Sequence, residues 1–295
     1  MGQTRHVVFV INPTAGTHSK TNICGQIQRY LDTSTFHFYL KFTEFPGHAH
    51  KMTQDAVKSG AYAVIAVGGD GTMNECASAL INSDTNLGLV PIGSGNGLAR
   101  DLGYSMNIRK SIEVVNSGQT KAIDCGSAND QLFFCTAGVG FDATVSLKFR
   151  DQHSRGFQGY VKTAFKELLS YRCDRYHIQY NGSEISETAF SITLANACQF
   201  GNNAIISPEA DLSDGLIDLC VVKAFPKYQS LNMVYRLFSG SIHKSRYTYI
   251  RRVKKVLIQC PAASFLHLDG ETKSIPKGKL SVEIIPEALS VMVPK

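Results

Sequence analysis

Strand-like and helix-like segments alternate through the first hundred residues, and every strand-like run ends in a turn built from glycine, proline or short polar residues. HVVFVI (6–11) is short, β-branched and apolar throughout, the pattern of a strand buried on both faces. NPTAG follows it, then TNICGQIQRYL, with helical spacing at Ile23, Ile27 and Leu31. FHFYLKFT, AYAVIAV and LGLVPIG repeat the theme, leading into GHAHKMTQDAVKSG, TMNECASALIN and the start of SGNGLARDLG. Such alternation predicts an α/β domain, a doubly wound and mostly parallel sheet with helices on both faces. Ligands of these sheets gather at the carboxyl ends of the strands. NPTAG, FTEFPG, GGDGT and GSGN all stand at such ends.

Beyond about residue 122 the texture changes. AIDCGSANDQLFFCTAGVGFDATV reads as a hairpin around Ala128–Asp130, with a further glycine-rich bend. A helix, GFQGYVKTAFKELLSYR, comes next. Short runs at strand spacing follow: YHIQYN, ETAFSITLANA, GLIDLCVVKA, KKVLIQC, SFLHLD, KLSVEIIP and LSVMVP. We expect residues 1–124 to form the α/β domain and 125–295 a mostly antiparallel, β-rich second domain, with the last residues returning to the first.

Composition narrows the class. Hydrophobic residues make up 43% and charged residues 18% of 295, ordinary values for a globular chain. No apolar run approaches the roughly 18 residues that a membrane span needs. The N-terminus reads straight into a strand without a signal-peptide core, and the myristoylation pattern fails, so the expected location is the cytosol. The eight cysteines form no CxxC pair and mostly sit in apolar runs, which favours reduced, buried thiols over disulfides or zinc. Net charge is +6 and concentrates in the second half. Lys244, Arg246, Arg251, Arg252, Lys254 and Lys255 fall within twelve residues, either a solvated face or a surface attracted to an anionic membrane.

The loop AVGGDGTMNE (66–75) carries the sharpest local chemistry. Gly68, Gly69 and Gly71 allow backbone N–H groups to approach phosphate oxygens. Thr72 is expected to cap the helix beginning at TMNECASAL, with Glu75 three residues on completing a capping box, and the helix N-terminus adds partial positive charge. Asp70 is the puzzle. A carboxylate among phosphates is tolerable if it holds Mg²⁺ or receives a proton, and an Asx-turn aspartate in a tight bend is the alternative. The GSGN loop offers Ser94 and Asn96 as further polar hooks.

Together, NPxxG at Asn12 to Gly16, TxxxGHA from Thr43, GGDGT with Asn74-Glu75, and PxGSGN from Pro91 resemble the diacylglycerol kinase catalytic domain family, in that family's order and across essentially the whole chain. GSGNGLAR is closer to the form in sphingosine and ceramide kinases. The resemblance implies an ATP-dependent lipid kinase using Mg²⁺. Its nucleotide site would comprise Asn12, Pro13, Thr14, Ala15, Gly16, Thr43, Gly68, Gly69, Gly71, Thr72, Met73, Asn74, Glu75 and Ser94. It makes Asp70 and Glu271, the latter from LDGE, the catalytic carboxylates, with Glu271 the general base. Asp211 and Asp214, with the Leu216 carbonyl, become structural Mg²⁺ ligands. For Glu271 to act, its loop must face a cleft opposite GGDGT. DGE and SDG also read as ordinary turns.

The expected partners are a lipid substrate and an anionic membrane surface met transiently, with no nucleic acid and a homodimer left open. An NAD kinase-like enzyme with a soluble acceptor shares GGDGT but would not be expected to carry NPxxG, GSGN and DGE in this order. A non-catalytic regulator is the third reading.

Overall fold

The computed structural model describes residues 4–16, 20–150, 157–261 and 264–295. The chain forms two compact units, Met1–Ile123 with Glu287–Lys295, and Asp124–Pro286.

The first unit runs β1 (Arg5–Ile11), α1 (Lys20–Tyr30), β2 (Phe36–Phe42), α2 (His48–Lys58), β3 (Ala63–Gly68), α3 (Asp70–Leu80), β4 (Asn86–Pro91), α4 (Gly97–Asp101) and α5 (Ile108–Ser117). Its strands lie in the order β4-β3-β1-β2, all parallel. Val7 to Ile11 and Ala63 to Val67 are almost wholly buried, because helices cover both sheet faces. The chain builds β2 on one side of β1 and β3 on the other, so the strand order reverses between β1 and β3. In such sheets ligands bind where the strand order reverses, at the carboxyl ends of the strands, and Asn12–Gly16 and Gly69–Gly71 follow these two ends.

The second unit takes in most of β5 (Thr120–Ala128), then β6 (Gln131–Phe133), β7 (Thr136–Gly140), α6 (Phe141–Arg150), α7 (Phe157–Ser170), β8 (Asp174–Tyr180), β9 (Ser183–Ala195), β10 (Ile217–Lys223), α8 (Ser230–Phe238), β11 (Thr248–Val253), β12 (Lys255–Gln259), β13 (Phe265–Leu268), β14 (Glu271–Ser274) and the first part of β15 (Lys279–Met292), whose end from Glu287 belongs to the first unit. Pairings within the second unit are antiparallel, and the long β9 serves three of them. Its first half pairs with β8, its second with β7 and β10. β8 and β12 alternate exposed and buried residues, as half-buried strands do. One apolar cluster, including Tyr176, Ile192, Leu219 and Val282, fills the interior of this unit.

Several elements differ from the sequence expectation. Residues 141–150 are helical rather than the continuation of a hairpin, and α8 lies where no helix was expected. KLSVEIIP and LSVMVP form one strand, β15, broken in conformation by Glu287 at φ 49°. Val291 near its end lies opposite Leu87 of β4. Among the described residues no helix is long and apolar enough to cross a membrane.

Candidate active site

In the first unit three loops converge on α3, and polar side chains of that helix and its neighbours hold them. Helix α3 starts at Asp70 with Gly69 as N-cap, so Thr72 is not its cap. The helix begins two residues earlier than expected, directly out of β3, and its first turn packs so closely on that strand that a Cβ on Gly68 would stand 2.5 Å from Thr72 Oγ1. Thr72 is instead buried in the first turn, and its Oγ1 accepts a hydrogen bond from Asn12 Nδ2 at 3.2 Å. Asn12 Oδ1 in turn accepts from the Thr14 backbone N–H and hydroxyl, closing the NPTAG turn.

Both carboxylate oxygens of Asp70 accept from backbone amides of another loop. Its Oδ2 accepts from the Asn96 N–H at 2.8 Å and its Oδ1 from the Gly97 N–H at 2.6 Å. These are the first amides of α4, so the carboxylate caps that helix from a different loop. Burial pushes its pKa up, against the pull of those two N–H groups and of Arg100. Gly95 is required here, since a Cβ on it would stand 2.5 Å from Asp70 Oδ2. Asn96 adopts a left-handed conformation and donates to the Gly93 carbonyl at 2.7 Å.

Glu75 repeats the device on the other side. Its two oxygens accept from the N–H groups of Gly47 (2.8 Å) and Ala49 (3.0 Å), at the start of α2. The expected capping box within α3 therefore does not form. Glu75 caps its neighbour instead, because helix α3 already begins upstream at Asp70 and Glu75, its sixth residue, reaches across to α2.

Gly71 stands apart from the other loop glycines. It lies exposed in the first turn of α3, and a Cβ there would meet nothing within 4 Å. Ser94 is exposed, and Thr43 half-buried. Met73, by contrast, is buried to 1% exposure, so its side chain belongs to the core. The unpaired first-turn N–H groups of a helix and its dipole favour an anion at this end.

The second unit holds the remaining sequence candidates. Glu271 opens β14 after a two-residue turn, Asp269-Gly270, both at positive φ. Its side chain is exposed and lies 3.6 Å from Lys273 Nζ. Asp269 anchors the turn: its carboxylate accepts from the N–H groups of Phe134, Cys135 and Thr136 at 2.8–2.9 Å. Asp211 and Asp214 sit on one exposed turn. Asp211 Oδ1 accepts from Ser213 and Asp214 Oδ1 from the Leu216 N–H. Among the described residues no three His, Cys, Asp or Glu side chains gather as a metal cluster. A cation on this turn would rest on two carboxylates, a backbone oxygen and water, a donor set of hard oxygens that suits Mg²⁺.

Two features escaped the sequence reading. Asp124, buried at 1%, accepts from the Gly215 N–H at 2.7 Å and so ties down the Asp211–Leu216 turn. Asp142, in the first turn of α6, accepts from Thr193 Oγ1 at 2.9 Å and approaches the buried His267 to 3.9 Å. Burial pushes Asp142 up to about 6 and His267 down to about 4. An acid beginning a helix after GVGF is a readable signal once the helix is recognised; the His267 partnership, 125 positions away, is not.

This parallel α/β unit, with the glycine-lined start of α3 at its strand ends, joined to an antiparallel unit, defines a two-domain fold. Residues 6–128 match the diacylglycerol kinase catalytic domain family, and residues 135–293 match the YegS C-terminal NAD kinase beta sandwich-like domain. The chain belongs to the diacylglycerol kinase family of lipid-kinase enzymes. It is 29% identical over 257 residues to the diacylglycerol kinase of Mycobacterium tuberculosis (strain CDC 1551 / Oshkosh), covering 84% of this chain and 82% of that protein. To the diacylglycerol kinase of Bacillus subtilis (strain 168) it is 26% identical over 270 residues, covering 89% and 88%. The crystal structure of a diacylglycerol kinase from Bacillus anthracis str. Sterne shares the fold, with TM-score 0.76 over 100% of this chain and 98% of that one, at 18% identity.

Proposed function

We propose that the chain transfers the γ-phosphoryl group of ATP to the hydroxyl of a lipid, such as diacylglycerol or a sphingoid base. The observation that carries this reading is Gly71: an exposed helix-start glycine at the β1/β3 switch point, with open space where its side chain would be. A fold has no packing need for glycine there; a phosphate chain lying against the backbone does.

In this reading Asn12 to Gly16, Thr43, Gly68 to Glu75 and Ser94 shape the nucleotide site. Asp70, with both oxygens on α4 amides, acts as a positioning residue that fixes the GGDGT loop against GSGN. Pre-set N–H groups aimed at the transferring phosphoryl group need no reorganisation as charge shifts, which is the main source of catalysis in such reactions. Glu271, exposed and unencumbered by backbone bonds, receives the acceptor hydroxyl's proton. Asp211, Asp214 and the Leu216 carbonyl would hold Mg²⁺, which when bound neutralises carboxylate and phosphate charge. The protein would work from the cytosol and meet the membrane transiently.

The test is transfer of label from γ-labelled ATP with Mg²⁺ to a panel of lipids in mixed micelles, with NAD as a soluble acceptor beside them. Wild type labels a lipid. Glu271→Ala loses roughly a hundredfold or more of kcat, the usual worth of a general base, with an unchanged urea midpoint. Labelling of NAD with no lipid labelled overturns the acceptor class, and an unchanged kcat in Glu271→Ala overturns its role.

A further inference from the structure

Among the described residues, five of the ten large apolar side chains that stand exposed fall between Tyr228 and Phe238, on α8 and the single 3₁₀ turn, Lys227–Gln229, before it. Tyr228, Leu231, Tyr235 and Phe238 recur at i, i+3, i+7 and i+10, one stripe of a helix, with Val234 beside it. Tyr228, Leu231 and Tyr235 are 75%, 76% and 69% exposed. The opposite side is already seated: Met233 is buried with Ile206, Cys220, Val222 and Ile242. The helix thus satisfies its packing with one face and turns a second apolar face outward. Contiguous exposed apolar surface of this kind marks a contact with something else.

Charge around the stripe indicates what it meets. No Asp or Glu occurs between Asp218 and Asp269, while Lys227, Arg236, Lys244 and Arg246 flank the helix. Arg236 lies on α8 itself and donates to the Ser241 carbonyl. Lys244 and Arg246 belong to the segment held beneath α8, where Ser245 Oγ contacts Met233 Sδ at 3.4 Å. The Arg246 guanidinium donates to Tyr247 Oη at 2.6 Å, next in sequence to the Ser245 that touches α8. Farther along the basic run, Arg252 pairs with Asp218 and Glu209, and Lys255 with Glu283, which partly neutralises that end.

We propose that the outward face of α8, with its flanking cations, seats the enzyme on an anionic lipid bilayer, the aromatic and aliphatic side chains entering at headgroup level. Tyrosines suit that depth, with an apolar ring and a polar tip, and cations around them meet lipid phosphates. A second copy of the chain would press the same cations against one another, which disfavours self-association through this face. The proposal rests on the reading that the acceptor is a lipid held in a membrane.

Flotation of the full-length protein with vesicles of phosphatidylcholine, with and without phosphatidylglycerol, tests it. Wild type should partition onto the anionic vesicles, with binding that weakens as salt rises. Leu231→Ser/Tyr235→Ser, at exposed sites that leave the melting temperature unchanged, should lower the partition coefficient roughly tenfold or more. Lys244→Gln/Arg246→Gln should weaken binding to anionic vesicles by a similar factor and flatten its salt dependence. Labelling of lipid in detergent micelles should be unchanged in both variants. Equal partition of wild type and the apolar variant overturns the proposal, as does a wild-type dimer that the apolar variant turns into monomer. Wild type that floats with vesicles but labels no lipid leaves the docking face standing and removes the lipid-kinase reading.

Discussion

At Gly71 the demands of folding and those of the proposed nucleotide site can be told apart. In a helix, alanine is favoured over glycine by about 0.5–1 kcal/mol, because glycine loses more backbone freedom on ordering. Nothing in the protein occupies the space a methyl group would take at Gly71. Gly71→Ala should therefore keep or slightly raise the urea midpoint while abolishing measurable ATP binding by calorimetry; unchanged ATP affinity would remove this residue from the nucleotide site. Asp70 shows the converse. A carboxylate in a glycine loop invites a chemical role when read from sequence, yet its oxygens are spent on the Asn96 and Gly97 amides. The residue type was legible, and so was its place at the strand end after β3. Its partners 26 and 27 positions away were not, because only the parallel sheet brings the loops after β3 and β4 side by side.

At the scale of elements, helices α2 and α4 begin without side-chain caps of their own, and carboxylates from α3 supply them. Glu75 accepts both the Gly47 and Ala49 amides. Glu75→Ala should cost about 1–2 kcal/mol, as removal of a cap does, and Glu75→Gln about half of that, since an amide offers one acceptor oxygen where the carboxylate offers two. Urea unfolding of the two variants checks the order; equal stability of all three proteins would show that the cap contributes nothing. The alternation of strands and helices in the first unit was readable because buried parallel strands are nearly continuous apolar runs. The start of α3 was misplaced because the capping-box pattern T-x-x-E matches the sequence locally, while the true cap position is decided by Gly69 and the exit from β3. Helix α8 was missed for a related reason. Its outward stripe and its buried Met233 face make it apolar on two sides, which blurs the helical period.

For the molecule as a whole, the buried Asp142 and His267 make opposing contributions to pH stability. Asp142 has a native pKa of about 6 against 3.8 in the unfolded chain, so its contribution is full below 3.8 and lost as pH rises through 6. His267 has a native pKa of about 4 against 6.5, so its contribution is full above 6.5 and lost as pH falls through 4. Between pH 4 and 6 the two nearly cancel. Relative to wild type, Asp142→Asn should give a stability that rises with pH across this window and His267→Gln one that falls, each by about 2 kcal/mol. Urea melts at the two ends of the window read the slopes; parallel curves for all three proteins would show that neither group is buried in the ionisation state described.

The sequence alone determined the α/β character of the first unit, the strand-end position of every glycine loop and the antiparallel texture of the second. These follow from hydrophobic period and turn chemistry, which act between near neighbours. Tertiary structure decided which residue caps which helix, which carboxylates are spent on backbone amides, where Asp142 meets His267, and that α8 shows an apolar face to its surroundings. Those outcomes depend on strand order and on contacts between residues tens to more than a hundred positions apart, and no local pattern encodes them.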